Sequence, residues 1–440
     1  MTDHYQSFLR KSEFGQRIGW VRRMQGLAIE AEGPRSELGE MCHVFARDDG
    51  NIAPLRAEVV GVEGTRVLLM PYEPLRGMGA GARVVALGRK AEVRVGPQLL
   101  GRVIDGFGDP LDGLPPPAPP GRCTLYPAAA SPMQRPRIAR ILETGIRAID
   151  GLLTLGAGQR VGIFAGSGVG KSSLLGAIAR QAQADINVVA MIGERGREVR
   201  EFVEDQLGPE GLARSVVLVA TSEQPALCRI RAAHAAVAIS RYFAERGQSV
   251  LLTMDSITRL AMARREVGLA AGEPATARGY TPSVFAELPQ ICERCGTSPS
   301  GGSVTALFTV LVEGDDLNEP IADNLRAILD GHVVLSRDLA QQGHYPAIDV
   351  LRSASRVMSD LVDAPQRALA VQALRHLSVL DRNRQLVELG AYVKGSNPEL
   401  DAALALESAL SKWLRQDAGG TPRDEAMRQL SQLLKPGRTS

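Results

Sequence analysis

The chain has 440 residues, on the order of two to four domains at roughly 150 residues each, and 51 Lys and Arg against 49 Asp and Glu leave a net charge of +2. That balance excludes a chain-wide field for nucleic acid or an anionic membrane surface, and aromatic residues at 4% are too few for the stacking platforms of single-strand binders, so any polyanion must be held locally. Five cysteines, an odd number in a long chain, read as reduced intracellular thiols rather than a disulfide framework, which predicts the cytosol.

Residues 1–19 hold no apolar run of signal-peptide length, and no later stretch approaches the roughly 18 apolar residues of a membrane span. Tyr5, Phe8, Leu9 and Ile18 fall partly on one helical face, a weak amphipathic pattern interrupted by Gly15. Residues 20–96 break into short β-rich runs separated by Gly, Glu-Gly and Asp-Gly, about ten residues apart, which predicts a small antiparallel barrel. Nine of the 26 prolines lie between Pro110 and Pro136, a stiffened connector where the barrel hands over to the next domain.

From about Arg140 the pattern changes. Runs at 159–165, 186–193, 215–221, 249–255, 303–312 and 332–337 are strand-length and apolar on both faces, as buried parallel strands are. Helical segments between them, including 172–184 and 224–246, make residues 97–364 a doubly wound α/β domain. Residues 365–440 contain helical periods only, with QDAGGTP at 416–422 expected as a flexible break.

Ala165-Gly-Ser-Gly-Val-Gly-Lys-Ser172 stands directly after one strand and before a helix. This is the context of a phosphate-binding loop, in which glycines turn successive N–H groups toward phosphate at a helix N-terminus. Lys171 would reach the β/γ-phosphates of ATP and the Ser172 hydroxyl would ligate Mg²⁺. Asp255, ending SVLLTMD, is a candidate second metal ligand, although an Asp before the helical ITRLAMARRE is equally a helix N-cap. Glu194 and Arg195, after INVVAMIG, lie at a strand's C-terminal edge, where ligands bind in open α/β sheets. There Glu194 could polarise a water and Arg195 steady a γ-phosphate, while GERGREVRE by itself also reads as a solvated helix start. Cys292 and Cys295, on successive turns of a helical segment with no second Cys/His pair at ligand spacing, read as structural.

Together with these motifs, MIGERGREVREFVED, MDSITRLAMARREVGLAAGEPATARGYTPSVFAELPQICERCG, TVLVEGDDLNEPIADNLRAILDGHVVLSR and HYPAIDVLRSASRVM resemble the flagellar and type III protein-export ATPases, relatives of the rotary ATP synthase catalytic subunits, over residues 20–415. AYVKGSNPELDAAL resembles the flagellar branch. The resemblance implies a RecA-like P-loop domain between a β-barrel and a C-terminal helical domain, with ATP and Mg²⁺ held by Ala165, Gly166, Ser167, Gly168, Val169, Gly170, Lys171, Ser172 and Ser173. It assigns Glu194 as catalytic glutamate, Arg195 and Arg259 as arginines near the γ-phosphate, and Glu198 as a carboxylate of the metal's outer shell. It makes Tyr345 the aromatic against adenine and Arg356 an arginine finger given to a neighbouring subunit.

As partners the resemblance implies a homohexamer, a regulatory subunit at the N-terminal helix and a central coiled-coil stalk protein meeting the acidic loop at 313–319. It further implies export-gate membrane proteins, export substrates and their chaperones, and a cytoplasmic location peripheral to the inner membrane; no nucleic acid is expected. Alternatives are the ATPase of a virulence secretion system and a rotary ATP synthase-type subunit. An RNA translocase would want basic and aromatic residues interleaved in the barrel, and WVRRMQG with RVVALGRKAEVRV offers charge without them.

Overall fold

The computed structural model describes residues 15–46, 53–75, 77–128, 131–312, 314, 316–417 and 419–435. Tyr5, Phe8 and Leu9 lie outside this set. Ile18, expected on a helical face, instead opens a strand: its segment IGWVRRMQ pairs with Arg83–Val85, and cross-strand pairing outweighs a weak helical period interrupted by Gly15.

The barrel is closed by β1 (Ile18–Gln25), β2 (Ala28–Glu32), β3 (Glu40–Phe45), β4 (Leu55–Glu63), β5 (Arg66–Pro71) and β6 (Arg83–Lys90), in the order β1-β2-β5-β4-β3-β6. Alternation directs Ile29, Ala31, Cys42, Val44, Val59 and Leu69 inward to a core of their own. Gly64, at φ +60°, makes the tight turn between β4 and β5 that a side chain would strain.

The proline-rich connector is tied to the segment that leads into it. β7 (Glu92–Val95) pairs antiparallel with β9 (Gly121–Thr124), and β8 (Arg102–Ile104) joins the edge of the main sheet beside Val216–Leu218. Asp112 fixes this turn by accepting hydrogen bonds from Arg102 Nε (2.7 Å) and the Val103 amide (3.2 Å), and the Arg102 guanidinium holds its carboxyl down at about 2.

β10 (Ile141–Leu142) and β11 (Leu155–Gly156) form a small ribbon before the main sheet. That sheet then takes β12 (Arg160–Ala165), β13 (Ile186–Ile192), β14 (Ser215–Ala220), β15 (Ser249–Asp255), β16 (Gly296–Thr297), β17 (Ser303–Leu311), β18 (Gly331–Leu335) and β19 (Ile348–Ser355). The strand order is β19-β18-β12-β17-β15-β13-β14-β8, parallel except for β19, with β16 antiparallel on β17. Every residue of β13 and β14 is buried, as a strand covered on both faces requires.

Helices Ala364–Glu388, Pro398–Leu414 and Arg423–Leu434 form the C-terminal domain. The segment expected as a flexible break is instead tied to the ATPase domain. Gln416 N donates to Tyr345 O (2.8 Å), Gln416 Nε2 to Gly145 O (2.6 Å), Arg147 N to Gln416 Oε1 (2.9 Å) and Thr421 N to Gly145 O (3.0 Å). Its Gly and Pro content reported turns, while the hydrogen bonds that hold it come from Gly145, Arg147 and Tyr345, far away in sequence.

Candidate active site

The C-terminal ends of β12, β13, β15 and β17 open on a cleft of about 820 Å³ lined by the phosphate loop, Glu194, Arg195, Glu198, Arg259 and residues of the 311–319 loop. Gly168 (φ +77°) and Gly170 (φ +86°) adopt left-handed backbone, and helix Lys171–Gln181 starts directly after them. The loop thus delivers a helix N-terminus, with its unpaired N–H groups and positive dipole end, to the cleft.

Lys171 Nζ lies 2.5 Å from Asp255 Oδ1 and 3.7 Å from Glu194 Oε1, with all three side chains largely buried. Asp255 Oδ1 also accepts from Thr309 Oγ1 (2.7 Å) on the intervening strand β17. Asp255 is not the N-cap of the following helix. Ser256 takes that place, its Oγ accepting from Arg259 N (3.2 Å), and the Asp255 carboxylate is left to face Lys171.

Glu194 follows Gly193, whose φ of +74° and close approach to Arg259, 2.9 Å from an added Cβ to the Arg259 Cβ, exclude a side chain there. Burial, then the Asp255 charge, push the Glu194 carboxyl up to about 7 against the opposing pull of Lys171. Glu198 is pulled the other way, chiefly by a hydrogen bond with Glu194 and against its own partial burial. Glu194 Oε1 and Arg259 Nε are buried without a hydrogen-bond partner, two polar groups directed at a space where a ligand can satisfy them. Arg195 is exposed, 3.8 Å from Glu198.

The Tyr345 ring packs on the phosphate loop, 3.2 Å from where a Cβ on Gly170 would sit. Arg356 is elsewhere. It directly follows β19 at the sheet's outer edge, its Nη2 donating to Arg326 O (3.0 Å), and it is absent from the cleft wall. In the acidic loop Gly314 and 316–319 are described; Asp316 pairs with Arg278 (3.3 Å) and Glu319 lines the cleft. Arg337, Tyr280 and Thr258 also line it and were not singled out in the sequence. Arg337 was within reach, since it closes the run HVVLSR, beyond the C-terminal end of β18. Cys292 and Cys295 are buried, and burial raises both thiols, Cys295 to about 12, as inert structural cysteines require.

A phosphate loop after a central parallel strand, with carboxylates at the ends of two neighbouring strands, defines a P-loop nucleoside triphosphatase. The ATP synthase alpha/beta family matches this chain with its nucleotide-binding domain over 145–355 and its β-barrel domain over 21–88, and the C-terminal domain of the type III secretion ATPase EscN matches over 362–432. The flagellum-specific ATP synthase of Bacillus subtilis is 50% identical over 416 residues, covering 94% of this chain and 92% of that protein. The type 3 secretion system ATPase of Xanthomonas euvesicatoria is 49% identical over 402 residues, covering 91% and 90%. The assembled ATPase EscN of enteropathogenic E. coli, solved in complex with its central stalk EscO, superposes with a TM-score of 0.87 at 40% identity, covering 95% of this chain and all of that one. The chain belongs to the flagellum-specific and type III secretion ATPases of the ATP synthase alpha/beta family.

Proposed function

We propose that this protein is the ATP-hydrolysing motor of a flagellar type III protein export apparatus, working as a homohexamer in the cytoplasm against the inner membrane. The single observation that carries the catalytic part is the Lys171–Asp255–Glu194 cluster at the mouth of the phosphate loop. The flagellar assignment is supported by identity near 50% to a flagellum-specific relative over nearly the whole chain. A lumenal stalk partner is supported by the relative solved with its central stalk. Regulatory subunit, export gate, cargo and chaperones follow from the family.

Among the described residues no three His, Cys, Asp or Glu side chains are grouped as a metal cage. The donors at hand are the Ser172 hydroxyl, Asp255 and Glu198, hard oxygens of the kind Mg²⁺ takes when phosphates and water complete its shell. The ion, when bound with ATP, neutralises charge on the β- and γ-phosphates.

Lys171 would turn from Asp255 to the β/γ-phosphates and leave the aspartate to order water. Glu194, buried and with a free Oε1, would accept a proton-bearing contact from the attacking water, and a carboxyl near 7 is matched to that task at neutral pH. Arg195 and Arg259 would bear on the γ-phosphate, and Tyr345 on the base. Arg356, at the sheet's edge, would serve the neighbouring subunit's site as a finger.

The test is genetic. A deletion strain should lose motility, and the wild-type gene but not Lys171→Ala should restore it. Intact motility with loss of an effector delivered to a host would move the protein to the virulence branch, a reading that the 49% identical secretion ATPase keeps open.

A further inference from the structure

A second cavity, of about 280 Å³, lies on the seam where the barrel, the connector and the ATPase domain meet, far in sequence from the phosphate loop. Its cations come from all three: Arg56, Arg89 and Lys90 from barrel strands β4 and β6, Arg94 and Arg122 from the β7–β9 ribbon, and Arg231 from helix Ala226–Ala244. Glu92 and Asp109 are the carboxylates of the wall, and both are engaged, Glu92 with Arg122 (3.7 Å) and Asp109 with Arg56 (3.5 Å). Arg56 is held by Glu73 as well (2.6 Å) and Lys90 by Glu37 (3.6 Å), so the positive charge left unpaired in this wall, among the described residues, is that of Arg89, Arg94 and Arg231, still a local excess in a chain whose net charge is only +2.

Arg231 is 4% exposed. Its Nε donates to Gly106 O (3.0 Å) and its Nη2 to Glu92 O (2.6 Å), while Nη1 is buried with no hydrogen-bond partner. Phe107 keeps it in place, with the Arg231 guanidinium 3.9 Å from the ring centroid and that of Arg56 at 3.6 Å. Arg89 and Arg94 are exposed at the rim and make no ion pair among the described residues. The field is felt at His43, whose imidazole is held below its ordinary range first by burial and then by Arg89 and Arg56.

We infer that this seam is a phosphate-binding site, separate from the nucleotide cleft, in which one phosphate dianion bridges Arg231 of the motor to Arg89 and Arg94 on the barrel and ribbon. The chemistry fits, because guanidinium forks recognise phosphate oxygens and a buried donor without a partner is costly until one arrives. The cavity, of about 280 Å³, has room for a phosphate group and the water around it. Occupancy would tie the barrel to the motor helix.

The experiment titrates the full-length protein with inorganic phosphate and, separately, glycerol 3-phosphate at constant ionic strength. A non-hydrolysable ATP analogue and Mg²⁺ are kept saturating so that the phosphate loop and the γ-phosphate position are both filled. Heat of binding and melting temperature are both read. Saturable binding of one phosphate per chain with a rise in Tm, weakened at least tenfold in Arg89→Ser/Arg94→Ser, is the expected result. Binding of the ester at least as tightly as the free ion would show a site open to phosphate monoesters, and binding of the free ion alone a site closed to them; either supports the site. The rim variant keeps the buried Arg231 and its packing, so folding is preserved. No saturable binding of either probe, or equal binding by the variant, would overturn the inference.

Discussion

Glu194 joins two demands that oppose each other. A carboxylate that is to accept from water must be ionised, yet burial and the nearby Asp255 favour its protonated form and raise it to about 7. Two consequences follow for this one side chain. In turnover, kcat/KM for ATP should fall as pH drops below about 7, since the base is then protonated, and Glu194→Gln should still bind nucleotide while losing roughly 10²–10⁴ in kcat. Steady-state assays from pH 5.5 to 8.5, with nucleotide binding followed separately, check both. Turnover of the Gln variant near wild type would remove Glu194 from the role proposed. In stability the sign is opposite to that of a salt-bridged acid. A carboxyl raised by folding stabilises the folded state fully only below its unfolded value of 4.5, and that contribution is lost as pH rises through 7. Glu194→Gln should therefore stabilise the nucleotide-free subunit by about 1–3 kcal/mol at pH 8 and have little effect near pH 4.5. Urea midpoints at the two pH values measure the difference.

At the scale of elements, the strut from 416 to 422 couples the C-terminal helices to the nucleotide cleft. Its Gln416 side chain holds Gly145 and Arg147, and its backbone holds the carbonyl of Tyr345, whose ring lies against the phosphate loop. Gln416→Ala keeps the backbone contact and removes the side-chain bonds, each worth on the order of 1 kcal/mol. If Tyr345 bears on the base as proposed, a loosened ring should raise KM for ATP about three- to tenfold with kcat within about twofold, because such a contact would be made equally in ground and transition states. Initial-rate measurements over a range of ATP concentrations separate the two constants. This strut also marks a limit of sequence reading, since the Gln416 side chain reaches residues 269 and 271 positions away and nothing local in QDAGGTP encodes that. Strands β12 to β15, β17 and β18 were legible because a strand buried on both faces must be continuously apolar. β8, β16 and β19 were not. The first and second are three and two residues long, and β19, IDVLRSAS, is an edge strand that mixes polar and apolar residues. In the site, the phosphate loop was legible because its chemistry is contiguous. Asp255 alone reads equally as cap or ligand and only the phosphate loop tips it toward the metal, a reading consistent with Ser256 holding the cap; Arg337 closes a run whose apolar part alone carries the strand signal.

At the scale of the whole molecule, Arg356 stands apart from the cleft of its own chain. Within one chain its guanidinium is held to Arg326 O on the outer edge of the sheet, while Lys171, Asp255 and Glu194 converge at the cleft near its centre. If Arg356 acts in hydrolysis, it acts on a site built by another copy, and the sites of a ring are each shared between two chains. An arginine finger is worth about 10³ or more in rate, so Arg356→Ala should be nearly inactive alone, as should Lys171→Ala, for different reasons. Mixed in equal amounts before assembly, the two variants should recover up to about a quarter of wild-type turnover. A quarter of the interfaces then join a chain with an intact phosphate loop to a neighbour with an intact finger. Coupling between sites around the ring would lower that figure without abolishing it. The control is a mixture of Lys171→Ala with the double variant Lys171→Ala/Arg356→Ala, in which every loop is defective and no recovery is expected. Absence of recovery in the first mixture, with rings of mixed composition shown by differential tagging, would place Arg356 outside the neighbour's site.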